Sequence, residues 1–146
     1  MAIEIREYRP DEYEQVRALW EACEGAIGLG RSDTPEEIEK MRRFDPGLFL
    51  VAAGEGGTIA GTVIGGFDGR RGHVYHLAVA PDSRRSGLGR RLMAEIERRL
   101  VARGAIRAHL MVMPGNEQAI RFYESIGWSV LPITAMSKNL EAPAEG

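Results

Sequence analysis

Residues 79–92 read V-A-P-D-S-R-R-S-G-L-G-R-R-L, and this stretch carries the strongest structural signal in the chain. An apolar run over residues 73–79 leads into Gly87-Leu88-Gly89, after which apolar residues recur at helical spacing, so we expect a strand, a glycine turn and a helix. The first N–H groups of a helix lack intrahelical acceptors and its dipole favours negative charge there, so phosphate binds such ends readily. Because glycine lets a ligand approach the backbone and arginines add positive charge, the turn predicts a site for a diphosphate-bearing ligand, surrounded by Arg84, Arg85, Arg90 and Arg91.

The composition is that of an ordinary folded protein. With 146 residues, 44% hydrophobic and 27% charged, the chain suits one domain with a real core, and we predict a single domain over residues 1–140 and a flexible tail over residues 141–146. A formal net charge of −2 argues against general nucleic-acid binding. The single cysteine, Cys23, excludes an internal disulfide framework, and no run approaches the ~20 apolar residues of a bilayer span. We therefore expect a cytoplasmic protein that binds neither nucleic acid nor membrane.

The hydrophobic pattern predicts an alternation of strands and helices in the order β-α-α-β-β-β-α-β-α-β-β. Three strands in succession, at residues 48–53, 58–67 and 73–79, are separated by tight turns and should pair antiparallel. The strand at 73–79, the helix after the glycine turn and a strand at 108–113 form a unit that should be a parallel crossover. Two last strands are expected at residues 128–131 and 134–138. The fold class is α/β (α+β): a mixed, mostly antiparallel central sheet of about seven strands flanked by four helices.

Two motifs in this order resemble the GNAT superfamily of acetyl-CoA-dependent N-acetyltransferases. The Arg/Gln-x-x-Gly-x-Gly/Ala signature of that superfamily is met by Arg84, Gly87 and Gly89. A second signature, an asparagine before a helix that carries alanine and tyrosine and leaves through glycine and an aromatic residue, is similar to Asn116, Ala119, Tyr123, Gly127 and Trp128. The resemblance covers essentially the whole chain and is particularly close to the bacterial YpeA-type members.

The resemblance implies a cofactor site and a catalytic tyrosine. Acetyl-CoA would be the co-substrate, its pyrophosphate held by the backbone amides of residues 85–90 and its pantetheine arm paired with the edge of the preceding strand. Asn116 would help to fix that arm, and Tyr123 would sit beside the thioester sulfur and donate a proton to the leaving thiolate. The cofactor-binding residues implied are Leu77, Ala78, Val79, Arg84, Arg85, Ser86, Gly87, Leu88, Gly89, Arg90, Asn116 and Tyr123.

The base that would deprotonate the amine is where the chain departs from its relatives. Some of them place a glutamate where this sequence has Met111, and others place one where it has His73. His73 is thus the leading candidate, followed by His76, Asp68 and Glu24. A base acting through ordered water, or an amine that arrives neutral, would need no such residue.

Other interpretations stay open at this point. The glycine turn alone could be a compact connection, Tyr123 an ordinary core aromatic and His73 a surface residue. Three scattered histidines without His-x-x-x-His spacing give no case for a metal. A non-catalytic acyl-CoA-binding or regulatory module is the rival function, and a nucleotide-binding domain is a third. The acceptor would be a small-molecule or peptide amine, and a homodimer is compatible with the resemblance.

Overall fold

A computed structural model of the protein describes residues 2–23 and 27–141. Its helices and strands follow the predicted order through the fourth helix. They are β1 (Glu4–Glu7), α1 (Tyr13–Ala22), α2 (Pro35–Phe44), β2 (Phe49–Ala53), β3 (Ile59–Phe67), β4 (Gly72–Val79), α3 (Leu88–Ala102), β5 (Ala108–Leu110) and α4 (Glu117–Ser125). The chain divides into two compact units, with the boundary after Asn116. The prediction of a single domain with a tail stays a prediction, and residues 142–146 lie outside the described residues.

The first unit is built on one open sheet with the strand order β1-β2-β3-β4-β5. Neighbours from β1 to β4 pair antiparallel, and β4 pairs parallel with β5. The predicted parallel crossover through α3 is therefore confirmed. The second helix, α2, begins at a capping residue, since the Thr34 hydroxyl accepts the backbone N–H of Glu37 at 3.2 Å.

One face of the sheet carries the main apolar core, which the residues of α1 complete. Trp20 has no exposed surface and stacks on Phe49 with ring centroids 5.9 Å apart, while Phe49 stacks on Tyr8 at 4.2 Å. Val51 and Ile64 of the sheet lie in the same cluster. Burial of an aromatic side chain of this kind is worth about 3–5 kcal/mol, so Trp20 anchors α1 to the sheet.

The opposite face of the sheet receives α3, and glycines in β3 set the closeness of that contact. A Cβ on Gly61 would lie 2.9 Å from both the Ala78 carbonyl oxygen and a methyl group of Leu92. A Cβ on Gly65 would lie 2.8 Å from Ile96. Side chains at these positions would push α3 away, so the glycines fix the height of the helix over the sheet.

The predicted strand count was wrong: the described residues form five strands rather than seven. Residues 128–131 and 134–138 are not strands, and β5 ends at Leu110 rather than at residue 113. An apolar run becomes a strand only where a partner completes its hydrogen-bond ladder, and Pro132, between the two runs, has no N–H to offer. Val130, Ile133 and Met136 are exposed, as expected of a segment without that pairing.

Candidate functional site

The turn that opens α3 leaves a series of backbone donors free. Gly87 precedes the helix in the left-handed conformation with φ 82°, and Arg85 also has a positive φ of 66°. The first backbone bond into the helix runs from Arg91 to the Gly87 carbonyl at 3.1 Å. The backbone N–H groups of residues 85–90 donate to no acceptor in the described parts of the chain. A Cβ on Gly87 would meet nothing within 4 Å, so a ligand can reach these donors.

The four arginines that the sequence brings to this turn have different surroundings. Arg84 turns back to the strand, where its Nε donates to the Val79 carbonyl oxygen at 3.3 Å and its Nη2 lies 3.7 Å from the Cys23 sulfur. Arg91 donates to the Ile3 carbonyl oxygen at 2.9 Å. Arg85 and Arg90 are exposed and form no ion pair with any described residue. The first turn of α3 carries no acidic side chain, so the uncompensated charge there is positive.

The strand before this turn has an open edge. The parallel pairing between β4 and β5 covers only Gly72, His73 and Val74. Residues 75–79 have no strand partner on the β5 side within the described structure, whereas on the other side β4 remains paired with β3 as far as Val79. The separation of β4 from the strand beyond it, which the resemblance implies, is thus present, and it leads directly into the glycine turn.

A β-bulge at His76 interrupts the regular pairing of β4. Thr62 pairs with Ala78 and Ile64 with Tyr75, so two residues of β4 face one residue of β3. His76 has a φ of +52°, a left-handed conformation that a non-glycine residue rarely adopts. Bulges of this kind redirect side chains next to active sites. The His76 side chain therefore leaves the alternation expected of a strand.

A hydrogen-bond network holds this bulge in place. The buried Thr62 hydroxyl donates to the His76 carbonyl oxygen and accepts the Trp20 indole N–H, both at 2.9 Å. The His76 ring lies edge-on to Trp20 at 4.7 Å, and its Nε2 is 2.7 Å from the carboxylate of Asp33. Thr62 and Asp33 carry no signal in the sequence, because their partners lie 14 and 43 residues away and no local pattern marks them.

The other candidate bases occupy different surroundings. His73 is exposed near the start of β4, and its ring lies 6.3 Å from that of His109. Asp68 accepts the backbone N–H groups of Arg71 and Arg70, which lower its pKa, so its carboxylate serves the β3–β4 turn. Met111, where some relatives place a glutamate, is 84% exposed. Glu24 lies outside the described residues.

The second unit contains Tyr123, on α4. Its ring contacts those of Phe122 at 5.2 Å and Trp128 at 6.3 Å. The helix ends as the motif predicts, since Gly127 has a φ of +100° and the Trp128 N–H donates to the Tyr123 carbonyl oxygen at 3.0 Å. Burial raises the pKa of the Tyr123 phenol to about 12. The phenol therefore keeps its proton at neutral pH, which leaves its O–H able to donate a hydrogen bond.

Two features that are absent from the described residues bear on the kind of site. No three His, Cys, Asp or Glu side chains among them come together in a way that could hold a metal ion. None of the helices described combines the length and the apolar character that crossing a bilayer requires.

The chain is similar to known acetyltransferases in sequence. The model of the Acetyltransferase (GNAT) family matches residues 8–128. An acetyltransferase of Pectobacterium atrosepticum is 39% identical over 138 residues, which cover 94% of this chain and 96% of that protein. An acetyltransferase of Yersinia pestis is 38% identical with the same coverage.

Solved structures show the same similarity in three dimensions. Ard1 from Thermoplasma volcanium superimposes with a TM-score of 0.78 at 25% identity, covering 90% of this chain and 85% of that one. The PaiA N-acetyltransferase from Thermoplasma acidophilum, solved in complex with coenzyme A, has a TM-score of 0.77 at 19% identity and covers 92% and 94%. At 19% identity, the similarity to the PaiA N-acetyltransferase shows a shared fold and nothing more.

Proposed function

The chain belongs to the GNAT acetyltransferase family, and we propose that it is an N-acetyltransferase that moves the acetyl group of acetyl-CoA to a primary amine. The amine attacks the thioester directly, without an acyl-enzyme intermediate. The acceptor is a small molecule or a peptide, and the reaction takes place in the cytoplasm, where a free Cys23 thiol is stable.

A single observation carries this proposal: the unpaired amides of residues 85–90 follow directly on the open edge of β4. Donors at a helix N-terminus suit a pyrophosphate, and an unpaired strand edge suits the amides of a pantetheine arm, which can pair there as another strand would. Arg84, Arg85 and Arg90 supply positive charge beside the same turn. The two features lie in the order that acetyl-CoA requires, with the phosphates at the helix and the thioester along the strand.

Tyr123 serves as the donor to the departing sulfur, an assignment that the second motif supports. A phenol with a pKa of about 12 is a much weaker acid than a thiol, whose reference pKa is about 8.5. Complete transfer of the phenolic proton to a free thiolate is therefore uphill by roughly three powers of ten. Tyr123 instead donates a hydrogen bond to the developing thiolate, and the sulfur receives its proton as the amine loses one.

Residues of the first unit would polarise the acetyl carbonyl group of the cofactor and accept the proton that the acceptor amine loses. A backbone N–H near Val79 polarises the acetyl carbonyl in the manner of an oxyanion hole. His73, the base predicted from the sequence, lies on the same strand and remains a candidate for accepting the amine proton. Asn116 directly precedes α4 and fixes the pantetheine arm.

The proposal is tested by two measurements on the purified full chain. Titration calorimetry with coenzyme A at low salt should show saturable binding, which free ATP does not reproduce. Thiol release from acetyl-CoA should then depend on the amine in a panel of lysine-like amines, peptide N-termini, polyamines and aminoglycosides. Binding without thiol release for any amine would identify a non-catalytic acyl-CoA-binding module. The observation that favours this alternative is the exposed Met111, at a position where some relatives have a glutamate.

A further inference from the structure

The His76 side chain has a carboxylate partner, unlike the other histidines of the described structure. Its Nε2 lies 2.7 Å from Oδ1 of Asp33, and both side chains are largely buried, with 15% and 7% of their surfaces exposed. The other carboxylate oxygen of Asp33 accepts the Gly30 N–H at 2.8 Å, and the Asp33 carbonyl accepts the Tyr13 hydroxyl at 2.6 Å. Asp33 is thus held from three directions and presents one oxygen to the ring.

This arrangement fixes the tautomer of the neutral imidazole. A carboxylate oxygen only accepts hydrogen bonds, so the Nε2 that faces it carries the hydrogen. The lone pair of the neutral ring is then on Nδ1, for which no described group of the protein serves as a partner. A histidine whose one nitrogen is oriented by a buried carboxylate while the other is free to take a proton has the geometry of a general base.

The ring is also held in one orientation. It lies edge-on to Trp20 at 4.7 Å and to Tyr75 at 5.6 Å, and the His76 carbonyl accepts the Thr62 hydroxyl. These contacts fix both the backbone and the side chain at the bulge. A base held in this way loses little entropy when a substrate arrives, which favours catalysis.

The position of His76 along the chain places it next to the thioester site. It lies within the open edge of β4, residues 75–79, and immediately precedes Leu77, the first residue implied to hold the pantetheine arm. Asp33 comes from the segment before α2, so the pair joins the strand of the cofactor to the connection between α1 and α2. His73, three residues earlier, lies where β4 is still paired with β5, and no hydrogen bond to any carboxylate of the described residues orients its ring.

We propose that His76, oriented by Asp33, accepts the proton of the incoming ammonium group, an inference that rests on the proposed acetyl transfer. Nδ1 takes one proton from R–NH₃⁺, and the nitrogen lone pair forms a bond to the acetyl carbon. The C–S bond then breaks, and the second proton lost by the nitrogen goes to the sulfur, which leaves as the thiol. His76 returns its proton to solvent, so the products are the amide, coenzyme A and H⁺.

The charged and titratable groups around the ring are few. Asp33 faces it from the segment before α2, and Tyr75 contacts it from β4. On α1, Tyr13 binds the Asp33 carbonyl, and Arg17 in turn donates to the Tyr13 hydroxyl at 3.3 Å. Asp33 supplies the only carboxylate, among the described residues, that is hydrogen-bonded to the ring. A change in the pH dependence of the rate that is caused by this pair should therefore appear when either His76 or Asp33 is substituted.

The test compares variants of the full chain in the thiol-release assay across pH. His76→Asn suits the left-handed backbone and should lower kcat by roughly 100-fold or more and abolish the acid limb of the kcat/KM profile. Asp33→Asn, whose amide can donate to Nε2 and move the hydrogen to Nδ1, should lower kcat at least about tenfold. Acetyl-CoA affinity should be little changed in both. His109→Gln, a histidine in β5 outside the site, should keep the wild-type rate and profile.

A second measurement needs no turnover. The ring nitrogens of His76 in wild-type protein, observed by ¹⁵N NMR, should show the Nε2–H tautomer, and Asp33→Asn should convert it to Nδ1–H. The proposal is overturned if wild-type His76 carries its hydrogen on Nδ1, if His76→Asn keeps the rate and the acid limb, or if His73→Gln removes that limb instead. If wild-type protein binds coenzyme A in the calorimetric titration but acetylates no amine, the proposed acetyl transfer itself is wrong. If wild-type protein acetylates an amine but His76→Asn does so equally well, only the assignment of the base is wrong.

Discussion

Arg84 lies against the end of the open strand, with its Nε donating to the carbonyl oxygen of Val79 at 3.3 Å. The resemblance implies that Arg84 binds near the phosphates and Val79 along the pantetheine arm, so one side chain joins the two parts of the proposed cofactor site. The same guanidinium reaches the Cys23 sulfur at 3.7 Å, which ties the end of α1 to this corner. The loss of Arg84 should therefore affect the cofactor at both the strand and the turn.

Arg84→Ala should weaken acetyl-CoA binding by about tenfold, since one charge-assisted hydrogen bond is worth about 1.5–3 kcal/mol and this one is partly exposed to solvent. Calorimetry at low and high salt measures the effect, which should shrink as salt screens the wild-type charge. Arg98→Ala is the matched control, because Arg98 lies on the exposed side of α3, which the glycine turn opens, and pairs with Glu95. Equal affinity in wild type and Arg84→Ala would contradict the assignment.

Gly87→Ala should weaken acetyl-CoA binding because its Cβ enters the space in front of the free amides. The substitution also strains the backbone, since φ at this position is +82°. Gly69→Ala separates the two effects: Gly69 has a φ of +95° and open space around it, but it lies in the β3–β4 turn. Both variants should lose about 1–2 kcal/mol of stability, and only Gly87→Ala should lose affinity. If Gly69→Ala lost as much acetyl-CoA affinity as Gly87→Ala, backbone strain rather than a blocked binding site would explain the loss.

Tyr123→Phe should lower turnover at least about tenfold while acetyl-CoA affinity changes little. Because the pKa of the Tyr123 phenol is raised to about 12, the donor stays protonated as pH rises through the usual assay range. The wild-type rate should therefore show no basic decline from this residue below pH ~11. Stopped-flow thiol release from pH 6 to 10 checks both points. Tyr8→Phe, which removes a hydroxyl from the first unit, is the control and should retain full turnover.

Thr62→Val should destabilise the fold by about 2–5 kcal/mol, because it leaves the Trp20 N–H and the His76 carbonyl without their partner in a buried site. Urea unfolding measures the change. Thr58→Val, at an exposed position, should alter the free energy of unfolding by less than about 0.5 kcal/mol. A Thr62→Val variant as stable as wild type would mean that the bulge does not depend on this hydroxyl.

The parts of the molecule encoded by local pattern were predicted from the sequence. Gly87 and the apolar spacing after it mark the start of α3, because a turn of this kind depends on a few adjacent residues. The element order through α4 follows from these signals.

Features that depend on distant partners could not be obtained in this way. Asp33 and His76 are 43 residues apart, and only the folded sheet brings them together. The bulge at His76 likewise requires knowledge of the β3 register. The prediction of strands at residues 128–131 and 134–138 was wrong for the same reason, since their apolar alternation does not specify a pairing partner.

The short pairing between β4 and β5 has a consequence for the handling of the protein. On the side that faces β5, residues 75–79 have no strand partner in the described structure, and other chains can use such an edge as a template for intermolecular sheet growth. A molecule that pairs with this stretch competes with such association. Preparations saturated with coenzyme A should therefore resist aggregation on storage better than preparations without it, since the gap that makes room for a ligand is also an edge at which the free protein can associate with itself.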